Sequence, residues 1–174
     1  MRPIEHFIIA FLPAVGYVLV RDRSLPASGL VFAVFVGSQF PDLIDKPLAH
    51  YFGLLPSGRV FMHSLPFALP VGVCVLAYGV WTNRPRLAGG FVLAQLLHLY
   101  ADNRGPLRAG SIPSDLLWPF VAPQPRPAVP YWAGPDGINI LLWTAFSGVV
   151  LSITAAVMVH DVRLQIQARK RTSQ

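Results

Sequence analysis

The stretch GSQFPDLID, residues 37–45, decides the fold class because it closes an apolar run with two carboxylates. Residues 27–40 contain no Asp, Glu, Lys or Arg, and Asp42 and Asp45 follow directly. Carboxylates three residues apart share one face of a helix. Ionisable groups at membrane depth are costly and usually have a function. The stretch therefore predicts an apolar helix whose end carries a functional pair of acids.

The composition indicates an integral membrane protein. Of 174 residues, 53% are hydrophobic and only 13% are charged, whereas a soluble domain carries about a quarter charged residues. The length suits a single membrane-embedded domain, residues 1–174. A net charge of +6 would suggest nucleic acid as a partner of a soluble protein. Here the basic residues lie in short loops and in a C-terminal tail, 162–174, so we expect membrane lipids and no nucleic acid as partners.

Five apolar segments predict an all-α integral membrane protein, with about five transmembrane helices in one bundle. They are Pro3–Val20, Leu25–Ile44, Val60–Trp81, Leu87–Asn103 and Ile138–Val159. The third and fifth each have 22 residues without a charged side chain, which is long enough to span a bilayer, and the other three are marginal. Two longer loops rich in Pro and Gly, 46–59 and 104–137, lie on one face. Cys74, the single cysteine, is expected to be a small buried apolar residue.

The distribution of basic residues predicts the orientation. With five crossings, the short turns 21–24 and 82–86 share a side with the tail, and this side carries eight Lys and Arg residues in all, against six on the other side. This weak bias favours a multi-pass protein of the cell membrane with a cytoplasmic C-terminus. A cleaved signal peptide is not expected, because Arg21, Asp22 and Arg23 separate the first apolar run from any cleavage site.

Six ionisable residues are predicted to meet on the side opposite the tail. They begin or end the predicted helices there: His6, Asp42, Asp45, His63, His98 and Asp102. Each alone also suits a structural role, such as a helix cap or an interhelical hydrogen bond. Together they offer nitrogen and oxygen donors without a thiolate, a set suited to zinc, manganese or iron. His160 and Asp161, beside the tail, are interpreted as a solvated helix end.

Four short motifs resemble one known family. They are GSQFPDLID at 37–45, GRVFMHS at 58–64, HLYAD at 98–102 and LLWPF at 116–120. In order and spacing they resemble the membrane-bound metal-dependent hydrolases of the LexA-regulated, YdjM-like group, over about Glu5–Phe120. Many members have histidines where this chain has Lys46 and Gly58, so the number of bound ions, one or two, remains open. The resemblance implies a hydrolase and carries no substrate with it.

The leading functional hypothesis is hydrolysis by a metal-activated water. His63, His98, Asp102 and Asp42 are the expected ligands, and Asp45 and His6 are further ligands, groups that orient the ligands, or a general base. Arg59 and Arg104 are expected to hold an anionic group such as the phosphate of a lipid or another amphiphilic phosphoester. Asp45 and Arg59 are thus the catalytic candidates.

Several alternatives stay open at this point. Ser64 is interpreted as a helix-start residue rather than a nucleophile, and His50 and Asp115 in the long loops are possible additional site residues. A small transporter or ion-conducting protein with an intramembrane His and Asp site is the main alternative function, and a non-catalytic interaction protein is another. Metal identity and oligomeric state are not fixed by the sequence.

Overall fold

The computed structural model describes residues 3–50 and 52–124, and beyond these only Val159, Arg163, Gln167 and Arg171. The described part is helical and contains no strand. Its elements are α1 Pro3–Asp22, α2 Ser28–His50, α3 Leu65–Trp81 and α4 Pro85–Arg108, followed by a short 3₁₀ helix, Ser114–Leu117. Apart from Val159, Arg163, Gln167 and Arg171, the predicted helix Ile138–Val159 and the basic tail 162–174 lie outside the described residues, as do His160 and Asp161.

The pair α2 and α4 forms the centre of the bundle, and both α1 and α3 pack on α4. Small side chains allow the close packing, since Ala10, Ala14, Val34 and Ala94 form one buried cluster. At Gly37 a β-carbon would collide with the backbone of Phe91, so glycine is required for this approach of α2 to α4. The tight contact brings residues late in α4 beside the backbone of α2.

By length and composition, α1 is the one helix within the described ranges that is long and apolar enough to cross a membrane. The sequence instead favoured Val60–Trp81, but its helical part begins only at Leu65 and has 17 residues. The reason is local, because residues 61–64 form a turn in which the Ser64 N–H and hydroxyl both donate to the Phe61 carbonyl. His63 therefore precedes α3 and does not lie within it.

The other helix ends also differ from expectation. The second helix continues through Pro41 and Pro47 to His50, and α4 continues past Asn103 and through Pro106 to Arg108. A proline removes one backbone donor and crowds one turn, which is why the sequence favoured earlier helix ends. Lys46 forms an i,i+4 ion pair with Asp42 in the stretch of α2 between Pro41 and Pro47. Both long loops are consequently shorter at their starts than the sequence indicated.

The expectation for Cys74 is wrong. Its side chain is exposed on α3, and so are Val73 and Tyr78 on the same helix. Since α3 is apolar on every face, an apolar residue in its middle carries no information about which face is buried. Ala68 and Gly72 are among its buried residues, and they mark the side that packs on the bundle.

Candidate metal centre

The six predicted residues come together at one end of the bundle, where α1 begins and α4 ends. His6 lies in the first turn of α1, Asp42 and Asp45 in the last half of α2, His63 just before α3, and His98 and Asp102 in the last half of α4. The antiparallel order of the helices produces this convergence. All six side chains are nearly inaccessible to solvent, and the most exposed, Asp42, is 9% exposed.

The imidazoles of His63 and His98 face each other through their Nε2 atoms, which lie 3.0 Å apart. His98 Nδ1 lies 2.6 Å from the carbonyl oxygen of Ser38, which can only accept, so this nitrogen carries a hydrogen. His63 Nδ1 lies 2.8 Å from the Oδ2 of Asp45 and donates in the same way. In neutral rings both Nε2 atoms then present lone pairs, so a proton or a metal ion is required between them.

Two carboxylate oxygens complete a set of four donor atoms. Asp42 Oδ1 lies 3.4 Å from His63 Nε2 and 3.9 Å from His98 Nε2. Asp102 Oδ2 lies 3.7 and 3.9 Å from the same two nitrogens. Among the described residues, Asp42 Oδ1 receives no hydrogen bond of good geometry. A buried acceptor without a donor is costly, and a bound cation would satisfy it.

Asp45 contacts the Nδ1 side of the His63 ring, whereas His98 faces its Nε2. Asp45 Oδ1 accepts the backbone N–H of Met62 at 2.7 Å, and its Oδ2 accepts the backbone N–H of His63 at 3.2 Å as well as the ring Nδ1–H. The carboxylate is completely buried. It therefore attaches the segment before α3 to α2 and sets the tautomer of His63, as carboxylates behind metal-bound histidines do.

His6 packs on a face of the His98 ring, whereas His63 meets that ring at its Nε2 edge. The rings of His6 and His98 are stacked with centroids 3.8 Å apart and planes at 21°, and His6 Nε2 lies 3.3 Å from Asp102 Oδ1. Two groups in the described part can thus hold a metal ion: Asp42 with His63 and His98, and His6 with His98 and Asp102. They share His98, so they form one continuous centre.

The comparisons with known proteins identify the family. A family model described as YdjM inner membrane protein matches residues 1–168. The chain belongs to this family. Neither the curated proteins nor the solved structures contain a match. Membership makes the chain a membrane protein, in agreement with the composition, and agrees with the resemblance carried by the four motifs. The buried His and Asp centre is thus the polar core of a YdjM inner membrane protein.

Two cations balance part of the acidic charge in this YdjM family member. Lys46 Nζ lies 2.6 Å from Asp42 Oδ2, and Arg59 Nε lies 3.1 Å from Asp102 Oδ2. Both side chains are 29% exposed, so each connects the buried centre to its surroundings. His63 lies outside the helices, and burial lowers its pKa, but the carboxylates of Asp42 and Asp45 outweigh burial and raise that pKa overall. The carboxylates therefore favour a positive charge at this position, which a proton or a metal ion on Nε2 can supply.

The remaining sequence candidates lie apart from the four donor atoms. Arg104 is exposed on α4, and Asp115 is buried in the 3₁₀ helix, outside both groups that can hold an ion. His50 ends α2, and its side chain is not among those described. Ser64 precedes the first turn of α3 and its hydroxyl bonds to Phe61, which agrees with a helix-start residue.

Two contributors to the centre were missed by sequence reasoning. The Ser38 carbonyl fixes His98, and a backbone group leaves no trace in a residue pattern. Gln39 donates from Nε2 to the Pro3 carbonyl at 2.8 Å and to the Ser38 hydroxyl oxygen at 3.0 Å. It therefore fixes the start of α1, and with it His6, against α2. The sequence did contain a signal for Gln39, because it is a polar amide near the end of the long apolar run 27–40.

Proposed function

We propose that this chain is a membrane-bound, metal-dependent hydrolase whose divalent ion is held by His63, His98, Asp42 and Asp102. The single observation that carries the proposal is the 3.0 Å separation of the two Nε2 atoms, whose rings both donate through Nδ1. Two buried carboxylate oxygens lie within 4 Å of those nitrogens. Imidazole and carboxylate ligands suit zinc, manganese and iron, and a water could join the four protein ligands if the ion took five or six ligands in all.

One ion fits these residues better than two. His98 Nδ1 donates to Ser38, which leaves only Nε2 for a metal. The group of His6, His98 and Asp102 would need that same nitrogen. We therefore assign His6 a positioning role, in which its ring stacks on His98 and its Nε2 lies 3.3 Å from the second oxygen of Asp102.

Asp45 is a positioning residue in this proposal, although the sequence suggested a ligand or a general base. Its two oxygens accept three hydrogens, from two backbone amides and the ring of His63. A carboxylate that is fully buried and occupied in this way has no lone pair directed at a substrate. Its contribution is to hold a hydrogen on His63 Nδ1 and to aim Nε2 at the other donors.

Arg59 is the residue proposed to bind substrate. A divalent ion, when bound, lowers the pKa of water and polarises the bond to be cleaved. Arg59 lies beside the proposed metal ligand Asp102, with its Nε 3.1 Å from Asp102 Oδ2, and its side chain is partly exposed. Its guanidinium can therefore bind an anionic group such as a phosphate. The loops at this end expose Phe52, Leu54 and Phe120, which suits an amphiphilic phosphoester such as a lipid.

The proposed topology is multi-pass, with the metal centre at the membrane face opposite the tail and the C-terminus in the cytoplasm. The larger number of Lys and Arg residues on the side of the tail supports this orientation. Arg21, Arg84 and Arg86 lie at the end of the described bundle away from His6 and Asp102. Exposed Tyr17 and Trp81 lie at that same end, as expected for side chains at a membrane interface.

Metal analysis of the purified full chain tests the proposal. Wild-type protein in mild detergent should contain about one zinc, manganese or iron ion per chain, and His63→Ala and Asp42→Asn should lose it. Asp22→Asn is the matched control, because this carboxylate lies at the other end of α1 in an ion pair with Arg86. Metal-free wild type, or unchanged metal in both site variants, would refute the metal centre.

Hydrolysis is tested separately on the metal-loaded protein. Phosphatidic acid, phosphatidylglycerol and a short-chain carboxylic ester should be compared in mixed micelles. We expect release from a phosphoester that is absent in His63→Ala and retained in Asp22→Asn. Metal binding without hydrolysis of any of the three would refute the enzymatic part and leave the centre intact.

A further inference from the structure

A second feature lies at the end of the bundle away from the metal centre. A groove of about 620 Å³ runs between α1, α2 and α4, within the range of about 300–1,000 Å³ typical of ligand sites. Its walls are mostly small or apolar, with Ala14, Val18, Leu30 and Leu93 among them. Gly89 adds to the open space, because a β-carbon built there meets no atom within 4 Å. The groove can therefore accept an elongated apolar group.

The polar residues of the groove are confined to one end. Asp22 ends α1 there, Ser24 follows it in the turn, and Arg86 lies in the first turn of α4. Arg86 forms a two-point ion pair with Asp22, at 2.9 and 3.3 Å. Arg86 is the one basic residue of the described chain that lines the groove, and exposed Arg23 and Arg84 flank these lining residues in the chain. With three arginines against one aspartate, this end is electropositive.

Exposed aromatic side chains near the basic end of the groove indicate that this end lies at a membrane interface. Tyr17 lines the groove and is 51% exposed, and its hydroxyl accepts a hydrogen bond from Arg21 at 2.8 Å. Trp81, at the end of α3, is 79% exposed. Exposed Tyr and Trp with neighbouring arginines are typical of the headgroup region of a bilayer. The apolar part of the groove then extends from that region toward the acyl chains.

We propose that this groove binds an anionic phospholipid, with one acyl chain along α1, α2 and α4 and the phosphate among Arg23, Arg84 and Arg86. The apolar walls match an acyl chain, and the basic end matches an anionic headgroup. Basic pockets between helices at a membrane face are a known way of holding such lipids. The site is separate from the metal centre, because the groove lies at the opposite ends of α1 and α4.

Native mass spectrometry of the full chain, titrated with phosphatidylglycerol or phosphatidylcholine of equal chain length, tests this proposal. Gly89→Leu should fill the groove and lower the binding of both lipids by about tenfold. Gly16→Leu is the matched control, because Gly16 also has open space around it but does not line the groove. Arg23→Gln with Arg84→Gln should lower only phosphatidylglycerol binding, by about fivefold for each arginine, and Arg108→Gln at the other end should change nothing.

The outcomes are decisive in both directions. A preference for phosphatidylglycerol that is lost in the arginine variants, with total binding lost in Gly89→Leu, supports the site. If another part of the chain or a second copy fills the groove, wild type will take up no more lipid than Gly89→Leu, and that result overturns the proposal. Equal effects of Gly89→Leu and Gly16→Leu would overturn it as well.

Discussion

Asp45 Oδ2 lies 2.8 Å from His63 Nδ1, and the same carboxylate also accepts the backbone amides of Met62 and His63. One buried side chain on α2 thus fixes the path of the segment before α3, the ring orientation of His63 and its tautomer. Helix packing alone would not orient a residue that lies outside the helices. The geometry of the proposed metal centre therefore depends on Asp45, although Asp45 contacts His63 on the side away from the other donor atoms.

Asp45→Asn should weaken metal binding by about 10–100-fold, the usual effect of losing a partner behind a metal-bound histidine. An amide offers one acceptor and one donor group, so at least one of the three hydrogens now accepted by Asp45 loses its partner. The ring of His63 would then favour a hydrogen on Nε2. Competition with a fluorescent zinc chelator measures the change. Asp22→Asn should leave affinity unaltered, and unchanged affinity in Asp45→Asn would contradict the positioning role.

Gly37→Ala should destabilise the protein by about 1–3 kcal/mol, the range for overpacking a close contact. The added methyl group would collide with the backbone of Phe91 and push α2 from α4. The same displacement should lengthen the bond from His98 to the Ser38 carbonyl, so metal affinity should fall together with stability. Thermal unfolding in detergent, with and without zinc, measures both effects. Gly16→Ala, which meets no neighbouring atom, is the control and should be neutral or slightly stabilising.

The sequence predicts the convergence of the centre well because alternating helix directions are enough to bring His6, His98 and Asp102 to one end. The sequence does not predict the orientation of the individual side chains, because backbone groups and tertiary contacts determine it. Nothing in the pattern indicates that Asp45 captures two amides before α3, or that a carbonyl of α2 fixes His98. The continuation of α2 through Pro47 likewise depends on packing and not on local propensity. The number of transmembrane helices stays a prediction.

Arg59→Gln should impair turnover while leaving the metal in place. Arg59 contacts Asp102 through Nε but is partly exposed, so its proposed role is toward an anionic substrate. Losing one charged hydrogen bond costs about 1.5–3 kcal/mol, which corresponds to roughly tenfold or more in kcat/KM, expressed mainly as a higher KM. Kinetics on the phosphoester identified in the screen would measure it. Arg108→Gln should behave as wild type, and a loss of metal from Arg59→Gln would show that Arg59 instead supports the ligand Asp102.

His6→Phe distinguishes one ion from two. Phenylalanine retains an aromatic ring that can stack on His98, as His6 does at a centroid distance of 3.8 Å, but it removes the nitrogen that faces Asp102. If one ion is held by His63, His98, Asp42 and Asp102, the purified variant should keep one ion per chain with moderately weaker affinity. If His6 holds a second ion, the number of ions per chain should fall from about two to one, since structural zinc needs several ligands.

Chelator addition gives an independent readout, because removal of a ligand that binds only the folded state lowers the free energy of unfolding by about 2.7 kcal/mol at a free concentration of 100 Kd. Wild type and His6→Phe should both lose thermal stability on chelation under the one-ion arrangement, whereas His63→Ala, which cannot hold the ion, should not respond.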